Sequence, residues 1–177
     1  MNKDTIIIYG SCYGTTKTYA EELSRRLDCE AVPDEDAGDI NIYQTIIYMG
    51  GLYAGGVRGM RKTMKRLHDI PSQRILIATV GLADPENEEN IAAIRKNIKA
   101  QVSEEIFNKA MIFHLRGGID YSGLSFIHKK MMGLVYKKVI RIPEEERDAE
   151  AQGIIETYNK QVDFVDLDSL NQIESSL

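Results

Sequence analysis

The chain has little of what marks several large functional classes. Only Cys12 and Cys29 are present as thiols. Neither stands in a CxxC or Cys/His spacing that would hold zinc or an iron–sulfur cluster, and two cysteines imply no disulfide framework. No uninterrupted apolar stretch reaches the ~18 residues of a spanning helix, so any membrane contact is expected to be peripheral. The first apolar run, Thr5 to Tyr9, is too brief for the core of a secretion signal, and the expected location is the cytoplasm. Charge of one sign is also scarce. A net charge of -5 argues against a dedicated nucleic-acid binder, whose affinity rests on an extended basic surface, so no nucleic-acid partner is expected. Repeats, low-complexity tracts and Pro/Ser/Gly linkers are missing too. The 177 residues are therefore read as one domain, 1–177. Its tail, about 161–177, has a weak apolar pattern that fits either packing on the body or hanging free.

What is present is ordinary globular composition, 43% apolar and 28% charged. Short β-branched runs alternate with amphipathic stretches. Strands are expected at Thr5 to Tyr9, Cys29 to Val32, Thr45 to Met49, Arg74 to Val80 and Ala110 to Leu115. Helices are expected at Thr16 to Leu27, Val57 to Leu67, Asn90 to Val102, Leu124 to Val139 and near Glu144 to Tyr158. The runs Ile6-Ile7-Ile8, Thr45 to Met49 and Ile75 to Ala78 are continuously apolar, as strands covered on both faces must be. An α/β fold with a parallel, doubly wound five-stranded sheet follows.

The acidic clusters Asp34-Glu35-Asp36, Glu86 to Glu89 and Glu144 to Glu146 read as solvated loops or helix N-termini, where the helix dipole favours carboxylates. None combines with histidine at ligand spacing, so no metal site is expected. His68, His114 and His128 are scattered and receive no role.

The segment Tyr9 to Thr18 lies between a buried strand and a helix. Unpaired N–H groups at a helix N-terminus, with hydroxyls and a glycine around them, suit a phosphate. A plain helix cap is the simpler alternative, but the hydroxyls of Ser11, Thr15, Thr16 and Thr18 exceed what one cap requires. The dinucleotide fingerprint fails, because no second glycine follows Gly10 at the required place. Walker A fails because Thr16, not glycine, precedes Lys17-Thr18. A cysteine phosphatase would need an arginine soon after Cys12, and none is there.

The stretch Ser11-Cys12-Tyr13-Gly14-Thr15-Thr16 resembles the first loop of the flavodoxin family, departing from it at Tyr13, where a small hydroxyl residue is usual. The resemblance implies a three-layer sheet of order 2-1-3-4-5 with FMN bound at its carboxyl edge, as ligands sit in open α/β sheets. It implies contacts from Ser11, Cys12, Tyr13, Gly14, Thr15 and Thr16 in the first loop, and from Gly51, Leu52, Tyr53 and Ala54 after the third strand. After the fourth strand it implies Thr79, Val80, Gly81, Leu82 and Ala83, with Gly117 beyond the fifth.

Within that superfamily the chain is most similar to the menaquinone-dependent protoporphyrinogen dehydrogenase group, on the loop Gly50 to Gly56 and on Leu115 to Tyr121 followed by a long basic helix. That similarity implies an FMN-dependent oxidoreductase with a quinone acceptor, in which Arg116 attracts a propionate or an anionic flavin and Tyr121 stacks. The alternatives are an electron carrier working with a redox protein partner, and a non-catalytic FMN-binding sensor. Carriers are usually more acidic and often cover the flavin with Trp; the absence of Trp here favours an enzyme. No acid–base catalytic residue is identifiable.

The helix 124–141 puts Ile127, Met131, Leu134 and Val135 at helical spacing, with Lys129, Lys130, Lys137, Lys138 and Arg141 largely on another side. The simpler reading is a core-facing stripe with a solvated cationic face. The other is peripheral contact with the inner face of a membrane, where a quinone would be found.

Overall fold

The computed structural model describes residues 2–53, 56–147 and 149–177. The first half runs β1 (Asn2–Gly10), α1 (Thr15–Leu27), β2 (Cys29–Pro33), β3 (Thr45–Tyr53), β4 (Gly56–Val57) and α2 (Met60–Met64). Then come β5 (Arg74–Gly81), α3 (Glu88–Lys99), α4 (Glu104–Lys109), β6 (Met111–Arg116) and β7 (Gly118–Asp120). The last part holds α5 (Phe126–Val139), α6 (Ala149–Thr157), β8 (Gln161–Asp163) and α7 (Asn171–Glu174).

The five long strands form a parallel sheet in the order β2-β1-β3-β5-β6, the expected 2-1-3-4-5 arrangement of an α/β flavodoxin-like fold. Successive strand residues point to opposite faces, which explains why these strands are apolar throughout. Ile6, Ile8, Ile46, Tyr48, Ile75 and Ile77 pack on one side against Met60 and Met64 of α2, Ile98 of α3 and Ile106 of α4. Ile7, Ile47, Met49, Leu76 and Ala78 pack on the other against Tyr19, Ala20 and Leu23 of α1. Helix α1 forms because Thr16, Tyr19, Ala20 and Leu23 repeat at helical spacing and present one buried face. It ends at Asp28, which adopts the left-handed conformation (φ 49°).

Several expected elements come out differently. The helix expected over Val57 to Leu67 begins only at Met60, because Val57 pairs antiparallel with Leu52 and Gly59 turns the chain at φ 73°. The Val57 side chain fills the space that Gly50 leaves open. The helix expected near Glu144 to Tyr158 divides into a 3-10 turn, Glu144–Glu146, and α6. Helix α4 lies beyond the expected end at Val102, capped by Ser103, whose hydroxyl accepts from the Ile106 amide at 3.2 Å. Strands β7 and β8 were not expected and form a separate antiparallel ribbon.

The carboxyl-terminal tail packs on the body. Leu170 and Ile173 are wholly buried beside α1. Arg26 bonds Glu22 at 2.7 Å and Glu174 at 2.9 Å, joining α1 to α7. The Tyr19 hydroxyl donates to the Arg116 carbonyl at 2.7 Å and accepts from the Asp166 amide at 2.9 Å. Ribbon β7–β8, α5 and α6 stand beyond the carboxyl end of β6 around a third cluster of Ile119, Tyr121, Leu124 and Met132.

Candidate functional site at the carboxyl edge of the sheet

The parallel strands bring their carboxyl ends to one edge. Gly10 of β1 pairs with Gly50 of β3, Gly51 with Val80 of β5, and Gly81 with Arg116 of β6. The loops that follow surround a cavity of about 210 Å³.

Its first wall is the loop after β1, with Ser11, Cys12, Tyr13, Thr15 and Thr16. Gly14 is the N-cap of α1, at φ 92°, and supplies no side-chain cap. Ser11 does not cap the helix; its hydroxyl accepts from the Gly14 amide at 3.2 Å and shapes the loop. The first-turn amides of α1 are thus left without a side-chain acceptor at the positive end of a 13-residue helix, the arrangement that receives an anion. Thr15 Oγ1 donates to the Gly118 carbonyl at 3.1 Å, and Thr16 is buried.

Gly51, Leu52 and Tyr53 form a second wall, and Val80, Gly81, Leu82 and Ala83 a third. Gly81 lets Leu52 pack on its backbone, since a Cβ would lie 2.6 Å from Leu52 Cδ1. Gly117 closes the side next to β7, and its own Cβ would come within 2.9 Å of Val80 Cγ1.

Most of the residues expected at a ligand therefore meet around one space. Gly14 shapes its loop from just outside the lining. Thr79 does not reach the cavity, since strand alternation turns its side chain toward His114, with Oγ1 2.7 Å from Nδ1. Ala54 lies outside the described residues. Arg116 does not line the cavity. Its guanidinium carbon stands 3.9 Å over the Phe164 ring, and Nε donates to the Leu82 carbonyl at 3.4 Å, so it clamps the tail rather than presenting charge to a ligand. Tyr121 is also outside the lining, buried in the third cluster with its ring edge-on to Tyr158 at 5.4 Å.

The remaining walls were not anticipated. Helix α3 contributes Glu89, Asn90, Ala93, Ile94 and Asn97, α5 contributes Met131, Met132 and Val135, and α6 contributes Ile154. The Tyr53 hydroxyl donates to the Met131 thioether, bridging the end of β3 to α5. Helical spacing in the sequence marked Met131 and Val135 as one stripe with Ile127 and Leu134, but the stripe splits. Met131 and Val135 face the cavity, whereas Ile127 and Leu134 are 75% and 63% exposed. Nothing in the sequence alone marks α3 as a wall, because its contact depends on where the sheet edge places it.

Among the described residues Glu89 is the one charged side chain in the lining. Burial, with help from nearby Tyr53, pushes the Tyr13 phenol up to about 12, so it stays a hydrogen-bond donor. Its hydroxyl is buried and has no partner among the described residues. Tyr121 is held at about 12, chiefly by burial. His114, on the face below, is pushed down to about 4 by burial and by Arg95, which keeps it neutral. Among the described residues no His/Cys/Asp/Glu group is arranged to hold a metal ion, and no helix is long and apolar enough to cross a membrane.

A family model, that of the Flavodoxin domain, matches residues 6–144. No curated protein matches the chain. Among solved structures, oxidised Flavodoxin 1 from Bacillus cereus is 15% identical, with 63% of this chain and 83% of that one covered and a TM-score of 0.40. A flavoprotein from Lactobacillus acidophilus in complex with FMN is 15% identical over 65% of this chain and 93% of its own, with a TM-score of 0.44. A Fusobacterium nucleatum flavodoxin bound to flavin mononucleotide is 14% identical, covering 69% and 74%, with a TM-score of 0.39.

Proposed function

The chain belongs to the flavodoxin domain family, and from that premise we propose that it binds FMN at the carboxyl edge of its sheet and works as an oxidoreductase on a lipophilic organic partner. The observation that carries the reading is the continuity of the cavity. One space runs from the uncapped amides of α1 to an apolar compartment between Ile94, Met131, Val135 and Ile154.

The residues present suit FMN. The α1 amides and the hydroxyls about Gly14 form an anion cradle of the kind a phosphate monoester needs. Leu52, Tyr53 and Val80 to Leu82 supply apolar surface for a flat ring, and Gly81 lets the Leu52 side chain lie directly on its backbone. When bound, FMN supplies the capacity to take up and release electrons singly or in pairs.

This chain's own part is binding, orientation and exclusion of water. Tyr13 stays protonated, with its hydroxyl buried behind the cavity wall. Met131, Met132 and Val135 are flexible or branched apolar surfaces that accommodate a large hydrophobic molecule without presenting a charge to it. In its specific form the reading is a protoporphyrinogen dehydrogenase-like reaction, in which a porphyrinogen gives up electron pairs and protons and a quinone receives them. A carrier serving protein partners would have less use for an apolar compartment beside the ring.

The test is stopped-flow reoxidation of the chemically reduced, FMN-loaded protein by a menaquinone analogue, with Val135→Trp as the variant. Rapid, saturable reoxidation that Val135→Trp slows at least tenfold, with FMN still bound, supports the proposal. Reoxidation that never saturates, or that ignores the variant, moves the function to electron carriage.

A further inference from the structure

Helix α5 has two apolar faces, and only one of them meets the cavity. Met131, Met132, Val135 and Val139 turn inward, where Tyr136 stacks on Tyr158 of the segment after α6, with centroids 3.9 Å apart, and fixes the helix in place. On the outward side Phe126 is 80% exposed, Ile127 75% and Leu134 63%. Ile127, Lys130, Leu134 and Lys138 recur every three or four residues and so share one outward stripe, with Lys137 and Arg141 beside it. Large apolar side chains in a contiguous exposed patch mark an interaction surface rather than scattered surface residues.

The charge around this face is of one sign. From Tyr121 to Pro143 the chain contains no Asp or Glu, but it has Lys129, Lys130, Lys137, Lys138 and Arg141, within a protein of net charge -5. Lys129 is occupied locally, donating to the Ser122 carbonyl at 3.1 Å and lying near Asp120. The other four take part in none of the ion pairs among the described residues. The acidic turn Glu144–Glu146 follows only after Pro143.

We propose that the outward face of α5 docks this protein onto a bilayer with anionic headgroups. Ile127, Leu134 and Phe126 enter the boundary between headgroups and acyl chains, while the long stems of the flanking lysines carry their charges to lipid phosphates. A second copy of the chain is disfavoured as occupant, because a two-fold contact would set this cation row against itself. The surface lies on the back of the helix that walls the apolar compartment, so docking would place that compartment near the lipid phase. The docking itself does not depend on FMN being the ligand.

The test is co-sedimentation of the full-length protein, FMN-loaded and FMN-free, with phosphatidylcholine vesicles and with vesicles that also contain phosphatidylglycerol. Binding to the anionic vesicles should exceed binding to the neutral ones at least tenfold and weaken with salt. Lys137→Gln with Lys138→Gln should lower the partition coefficient by about fivefold per cation removed. Ile127→Ser with Leu134→Ser should lower it by roughly tenfold or more, with thermal melting unchanged because both positions are exposed. Equal binding to the two vesicle types, or variants without effect, would overturn the proposal. So would concentration-dependent self-association that the serine variants abolish, or vesicle-independent capture of an acidic protein that ignores Ile127 and Leu134. Retained vesicle binding by the FMN-free protein separates this result from any failure of the flavin reading.

Discussion

Thr15, the first residue of α1, donates its hydroxyl to the carbonyl of Gly118 at 3.1 Å, across 103 residues of sequence. One side chain thereby ties the anion-binding loop to the ribbon that begins after β6. Thr15→Val keeps the shape, removes the bond and leaves a carbonyl unpaired, which costs on the order of 1 kcal/mol. The expected outcome is a several-fold rise in the FMN dissociation constant with a small loss of stability, read by flavin titration and by thermal melting.

At the carboxyl ends of β5 and β3, Gly81 lets the Leu52 side chain lie directly on its backbone. In Gly81→Ala the new methyl would stand 2.6 Å from Leu52 Cδ1, so the Leu52 side chain, which lines the cavity, must move. FMN affinity is expected to fall at least tenfold while the melting temperature moves little. An unchanged affinity would mean that Leu52 does not border the flavin.

His114 gives the protein an acid-sensitive limb. Its folded pKa, about 4, lies below the ordinary 6.5, so the unfolded chain binds the proton more readily. The stability associated with the neutral imidazole is complete above about 6.5 and is lost as the pH falls toward about 4. His114→Leu leaves the Thr79 hydroxyl without its partner, and so lowers stability at neutral pH, but it should flatten the slope between those values. Urea titrations across that range supply the comparison.

The tail carries structural weight. Leu170 is wholly buried against α1, and Leu170→Ala is expected to cost about 2–5 kcal/mol. A melting temperature within a degree or so of the parent would show that the tail does not hold the body together.

The sheet was legible in the sequence because its evidence is local. Ile6 to Ile8, Thr45 to Met49 and Ile75 to Ala78 show two-sided burial in their composition, and the structure covers both faces. The first loop was legible for the same reason, since Ser11 to Thr16 are contiguous. What was hidden depends on distant partners. Val57 leaves its expected helix because Leu52 and Gly50 offer a strand edge and a vacant side-chain position. Arg116 reads as a free cation until Phe164, 48 residues later, covers its guanidinium. Thr79 sits near the carboxyl end of β5, yet strand alternation aims it at His114. The double character of α5 was also out of reach, because helical spacing puts Ile127 and Met131 on one stripe without saying where the sheet edge divides it.

The central claim, FMN in the cavity at the carboxyl edge of the sheet, is tested most directly by titrating the flavin-free protein with FMN and following flavin fluorescence and visible absorption. The account predicts saturable binding at one FMN per chain, with altered flavin bands and weakened affinity in Gly81→Ala. Free-flavin spectra throughout the titration of folded protein would contradict it.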